Sequence, residues 1–185
     1  MIELFDKNTF KILTVFSISP GSRLNRKVLK EKTMMPNIVL DKTISRLLNF
    51  KILIKEKNLF ALNFKNNEIK KIIEIVAENY NKFKQLPLKE YFIIIEILEE
   101  TSRIKNIEEM YLFGSYSKLI FTENSDIDIA IISESVRKKN IEKIIKKLEK
   151  RYKKSIEVHY FSRKFYTNKR DPLVKEILQH GIKLI

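Results

Sequence analysis

The chain has 185 residues, enough for one large or two small domains, and its 44% hydrophobic and 32% charged residues suit packed cores beneath a polar surface. Cysteine is absent and histidine occurs twice, which excludes disulfides and thiolate metal centres; with no apolar run of membrane length and no leader-like start, the expectation is a cytoplasmic protein without a membrane partner. The net charge of +14 argues for a polyanionic partner, and half of it falls within residues 1–62.

In chain order, Asn8-Thr9 offers a cap for an apolar helix over residues 10–16, which Pro20-Gly21-Ser22 breaks. Residues 25–32 read as a short basic helix with Val28 and Leu29 inward. Pro36 opens a third helix in which Leu40, Ile44, Leu47 and Leu48 form the apolar stripe, leaving Asn37, Asp41, Lys42, Ser45, Arg46 and Asn49 outward. Residues 52–62 read as a hairpin with the charged tip Lys55-Glu56-Lys57-Asn58. Three helices followed by a hairpin resemble a winged helix-turn-helix domain, placed at residues 1–66. That resemblance implies contacts to double-stranded DNA from Lys42, Ser45 and Arg46 on the third helix and from Lys55 and Lys57 on the wing. These side chains show no set aimed at base edges, so no site preference follows.

Residues 67–84 carry an amphipathic pattern within a linking segment, 67–88, that Pro87 ends. Its stripe, Ile69, Ile72, Ile73, Val76 and Tyr80, suits packing on the chain's own domains or against a second copy in a homodimer. A further helix rich in Ile and Leu, residues 89–102, opens the last segment, 89–185, and is suited to cover a sheet.

Tyr111-Leu112-Phe113 then reads as a strand, and Gly114 after it lets the backbone turn sharply and approach a ligand closely. Ser115 adds a hydroxyl and an N–H for a phosphate. After a ten-residue gap, residues 126–132 read as a second strand on which Asp126 and Asp128 project together, two carboxylates that repel one another unless a cation sits between them. Residues 155–161 alternate polar with apolar as a third strand, with Glu157 on its polar face; His159 shares that face, where it could touch substrate but reads first as a surface residue. Residues 141–152 form a helix with Ile141, Ile144, Ile145 and Leu148 inward and a solvated basic face. A helix from Pro172 ends at Gly181, and residues 182–185 suit a last strand.

The stretch from Leu112 to Ile129, with Gly114-Ser115 and Asp126-Ile127-Asp128 at this spacing, resembles the signature of the DNA polymerase β-like nucleotidyltransferase superfamily, most closely its minimal branch. The implied fold is α/β (α+β), a small mixed-sheet domain joined by a linking helix to the winged-helix module. The resemblance implies Asp126, Asp128 and Glu157 as catalytic and metal-binding acids for two Mg²⁺ ions, and Gly114, Ser115 and Lys118 as nucleotide-binding residues. Relatives commonly show Gly-Ser-x-Ala-Arg-Gly where this chain has Gly114-Ser115-Tyr116-Ser117-Lys118-Leu119; lysine keeps the charge without the planar fork, and Leu119 replaces a glycine. The implied reaction transfers a nucleoside monophosphate, AMP from Mg-ATP first, to a hydroxyl. Small relatives act as antitoxins that modify a toxin's tyrosine, so a protein acceptor is the first expectation, with tRNA ends or small hydroxylated compounds behind it. The alternative is a DNA-binding regulator whose second domain binds nucleotide or a partner without turnover.

Overall fold

The computed structural model describes residues 6–83 and 86–185. It forms two compact units, Met1–Phe92 and Ile93–Ile185.

In the first unit the N-terminal helix α1 (Lys7–Ile18) begins earlier than Asn8-Thr9 suggested. Asp6 is the cap, its carboxylate accepting from the Thr9 N–H at 2.8 Å. An ionised cap also meets the positive end of the helix dipole, which favours Asp6 over Asn8. Strand β1 (Leu24–Asn25) leads into α2 (Arg26–Thr33), whose cap Asn25 accepts from the Val28 N–H at 2.9 Å. Helix α3 (Asn37–Asn49) follows Pro36 and buries Leu40, Ile44 and Leu47. Strands β2 (Leu53–Glu56) and β3 (Leu59–Leu62) pair antiparallel, leaving Lys57-Asn58 as the turn, and β1 adds to the other edge of β3, opposite Leu59 and Phe60. Two residues of β1 are too few for a period of two to show in sequence. Helix α4 (Ile69–Asn81) buries Ile69, Ile72, Ile73 and Val76, and it packs on α1 within the same unit.

The unit boundary falls inside α5 (Leu88–Thr101). The second unit is built on a mixed sheet of β4 (Glu109–Phe113), β5 (Ile127–Ile132), β6 (Ile156–Phe161) and β7 (Ile182–Lys183), in the order β6-β5-β4-β7. β4 runs antiparallel to β5 and β7, whereas β5 and β6 are parallel and are joined across α7 (Lys138–Tyr152). A parallel pair needs such a crossover, and the helix packs back on one face. Arg151 and Tyr152 of α7 both bond Glu96 of α5, at 2.5 and 2.7 Å, and Lys147 bonds Glu100 at 3.1 Å. The other face of the sheet buries Phe113, Ala130 and Ile132 with Phe165, Val174 and Ile177, the last two on α8 (Pro172–His180). Asp171 caps α8 through the Leu173 N–H at 2.9 Å, with Pro172 at the first helical position. No described helix is long and apolar enough to cross a membrane.

The β4–β7 edge holds an acid whose titration is testable. Glu109 accepts from Tyr111 Oη at 2.5 Å and from Tyr166 Oη, and Lys183 Nζ lies 3.0 Å away. The two phenols, with Lys183 adding to them, hold its carboxyl down at about 2 against the effect of burial. A carboxylate with a depressed folded pKa contributes stability that is complete above its unfolded value and is lost as pH falls through the folded one. Glu109→Gln is therefore expected to lower stability at neutral pH and to flatten the acid limb between about 4.5 and 2. Urea unfolding across that range, followed by circular dichroism, checks both effects.

Candidate active site

The site begins where β4 runs into α6 (Gly114–Ser117), a single helical turn. Gly114 has φ of +70°, and a Cβ built there would lie 2.0 Å from Asp128 Oδ2 and 2.9 Å from its Cγ. Glycine is required twice over, for the left-handed backbone and for the space that the carboxylate fills. Ser117 Oγ closes the turn on the Gly114 carbonyl at 3.0 Å, and the Ile120 N–H bonds the Ser115 carbonyl at 3.0 Å.

Asp128 is held from both sides by register, opposite Phe113 of β4 and alongside Glu157 of β6. Adjacent strands lie about 4.8 Å apart, so in-register side chains on one face are neighbours. Asp128, Glu157 and His159 each offer a ligand atom, all within 4.8 Å of one another. His159 Nε2 lies 3.3 Å from Glu157 Oε1, and its ring meets Phe113 edge-on with centroids 5.3 Å apart. Burial first, then the Glu157 carboxylate, raise the Asp128 pKa; His159 opposes them, and Asp126 and Glu176 add to the rise. Two clustered carboxylates and an imidazole, with the most buried acid reluctant to ionise, form a donor set that a hard divalent cation fits.

The sequence-derived site is gathered in part. Asp126 precedes β5, is exposed and lies outside the three residues with converging ligand atoms, although its charge still acts on Asp128. Strand alternation carries a side chain to the shared face only within the strand, and β5 begins at Ile127, whose N–H bonds the Ser155 carbonyl at 3.1 Å. Lys118 Nζ is paired with Glu176 Oε1 of α8 at 2.8 Å, a partner that no local pattern indicated. Leu119 keeps a left-handed φ of 59°, a conformation that glycine adopts without strain. His159, which read as surface, joins the cluster, and its position two residues after Glu157 on the same strand face was the signal for it.

In the first unit, Lys42 and Ser45 are exposed on α3, Lys57 is exposed in the β2–β3 turn, and Lys55 is exposed with its Nζ 5.9 Å from the Phe60 ring centre. Arg46 does not join them. Its guanidinium donates to Asp6 Oδ2 at 2.7 Å and to Thr9 Oγ1, turning back to the start of α1 rather than outward. The ionised Asp6 cap, with acceptor capacity beyond the Thr9 N–H, explains that turn. Arg26 also forms a forked pair with Asp41 of α3, at 2.6 and 2.8 Å.

Residues 93–184 match the family model described as Nucleotidyltransferase domain. Among solved structures, one described as a toxin–antitoxin with AMP-PNP is 26% identical, over 50% of this chain and 70% of its own, with a TM-score of 0.37. Another, described as a mutant of the toxin–antitoxin MntA-HpeT, is 22% identical over 52% of this chain and 72% of its own, with a TM-score of 0.35. No curated protein matches the chain. The unit that sets Gly114 against Asp128 and brings Glu157 alongside is a nucleotidyltransferase domain.

Proposed function

We propose that the second unit transfers AMP from ATP to a hydroxyl, with a protein side chain as the first acceptor class. The observation that carries this reading is the fit of the Gly114 turn over the Asp128 carboxylate, with Glu157 beside it in register. A phosphate-cradling turn and a carboxylate cluster are thereby joined in one site. Ser115 binds the triphosphate through its hydroxyl and N–H. Asp128 and Glu157, with Asp126 just before β5, would hold two Mg²⁺ ions, and such ions would supply positive charge to the phosphates and lower the pKa of the acceptor hydroxyl. Glu157, whose side chain is 60% exposed, faces the solvent side from which an acceptor enters and takes the proton from its hydroxyl, while His159 steadies that carboxylate. The acceptor oxygen bonds to the α-phosphorus as pyrophosphate departs. A protein acceptor rests on the motif's resemblance to small antitoxins that modify a toxin's tyrosine.

The first unit, on this reading, is a winged helix at residues 1–66, followed by a linking helix at 67–88, and it contacts duplex DNA through Lys42 and Ser45 of α3, Lys55 of β2 and Lys57 of the β2–β3 turn. Their exposure supports that reading, and Arg46 is withdrawn from it.

A second reading, nucleotide binding without turnover, is favoured by the pairing of Lys118 with Glu176 and by Leu119 in the left-handed region. Incubation with α-labelled ATP and Mg²⁺ in the extract of its own cells distinguishes the two. Transfer of label to one protein is the expected result; tight Mg-ATP binding with no label on any molecule would establish the second reading.

A further inference from the structure

Helix α7 carries more positive charge than its packing uses. Its buried face is Ile141, Ile145, Leu148 and Tyr152, and Lys147 and Arg151 on one flank pair with Glu100 and Glu96. On the other flank the Lys138 ammonium sits 4.8 Å from the Tyr160 ring centre. Of the two acids of α7, Glu149 is half-buried, whereas Glu142 is exposed at the margin of the outer face, three residues after Lys139 and four before Lys146. Glu149 accepts the Ile156 N–H at 3.0 Å, and Glu142 lies near Tyr160, whose phenol is raised by burial and then by that carboxylate. What remains is Lys139, Lys143, Lys146 and Lys150, all exposed, at i, i+4, i+7 and i+11, directly opposite the buried stripe. No ion pair among the described residues involves any of the four.

The row has two extensions. Exposed Lys153 follows the helix, two residues before Ser155, whose carbonyl anchors Ile127 beside Asp128. At the other end Asn140 borders an open cleft of about 320 Å³, lined also by Arg103, Lys105 and Arg137. The cationic track thus runs along α7 from that cleft towards the catalytic end of the sheet.

We propose that this face of α7 binds the phosphate backbone of a nucleic-acid strand. At about 1.5 Å of rise per residue, the four lysines offer roughly one charge per 5 Å. A strand presents about one phosphate per 3.4 Å, so the track neutralises roughly two of every three phosphates that it passes. A row of four like charges with a single exposed acid, Glu142, at its margin repels itself when free and is relieved by a linear polyanion. The proposal is independent of the acceptor assigned above and of DNA binding by the first unit.

The test is therefore made in full-length protein carrying Lys55→Ala and Lys57→Ala, so that a failure of the winged-helix reading is seen separately. Fluorescence anisotropy follows a single-stranded RNA of about 20 nucleotides and, in a second arm, a duplex DNA of the same length, between about 50 and 200 mM salt. Combined Lys139→Gln, Lys143→Gln, Lys146→Gln and Lys150→Gln is expected to weaken the preferred probe at least about tenfold and to reduce the salt slope by about 3. The four lysine-to-arginine changes, which keep both helix and charge, are expected to preserve binding. Unchanged affinity in the glutamine variant, or equal loss in the arginine variant, overturns the proposal. So does displacement of both probes by polyglutamate of matched charge as effectively as by unlabelled oligonucleotide, which would identify the face as a dock for an acidic protein. The preference between the two probes identifies the strand.

Discussion

Asp128→Asn is expected to abolish nucleotidyl transfer and Mg²⁺-dependent ATP binding while making the metal-free protein more stable. In the folded chain Asp128 is partly desolvated and faces Glu157, Asp126 and Glu176, and these together raise its pKa. The folded state therefore holds the proton more tightly than the unfolded one. Between the unfolded pKa and the raised folded value, stability falls as pH rises, and the cost is complete above the folded value. Asparagine has nearly the same shape without the charge, so the substitution removes that cost along with the centre of the ligand cluster. Thermal unfolding in EDTA should show a higher Tm for the variant at pH 7 and a smaller difference near pH 4. Added Mg²⁺ with ATP should raise the Tm of the unsubstituted protein and leave the variant unmoved. A variant that still binds Mg-ATP tightly would refute the assignment of the acidic cluster, and a variant less stable in EDTA would show that the carboxylate is paired rather than strained.

Gly114→Ala is expected to be the most damaging single-methyl change in the second unit. The new Cβ would overlap Asp128 Oδ2 at 2.0 Å, and the backbone there has φ of +70°. The left-handed conformation alone costs a non-glycine residue about 1–2 kcal/mol, and the overlap adds to it because neither strand can move without breaking the Phe113–Asp128 register. Asp128 would be pushed off its position, so transfer should fall to the level of Asp128→Asn. The two substitutions should also be non-additive, since the second has no activity left to remove once the first has displaced the same carboxylate. Chemical denaturation of both single variants and the double variant measures the coupling. Gly114→Ala with unsubstituted stability and transfer would show that the turn and the carboxylate are not in contact.

Much of the second unit was legible because its information is local. Tyr111-Leu112-Phe113 followed by glycine, the alternation around Glu157 and the stripe of α7 all appear as strand, turn and helix where their patterns occur. The acidic cluster was legible by residue type but not by membership. Asp126 carries the right chemistry one residue outside β5, and His159, which as an isolated letter looked like surface, stands beside Glu157. Lys118 and Arg46 illustrate the same limit: each is an outward-looking cation in its own segment, and each is claimed by an acid distant in sequence, Glu176 and Asp6.

By itself, then, the sequence determined the elements, the Gly-Ser turn and the acid types, because period, capping and turn chemistry act over a few residues. The tertiary structure alone decided which acids converge, since convergence depends on the parallel register of β5 and β6 across a crossover. It also decided which of the many lysines remain unpaired along α7, because long side chains find their partners through space rather than along the chain.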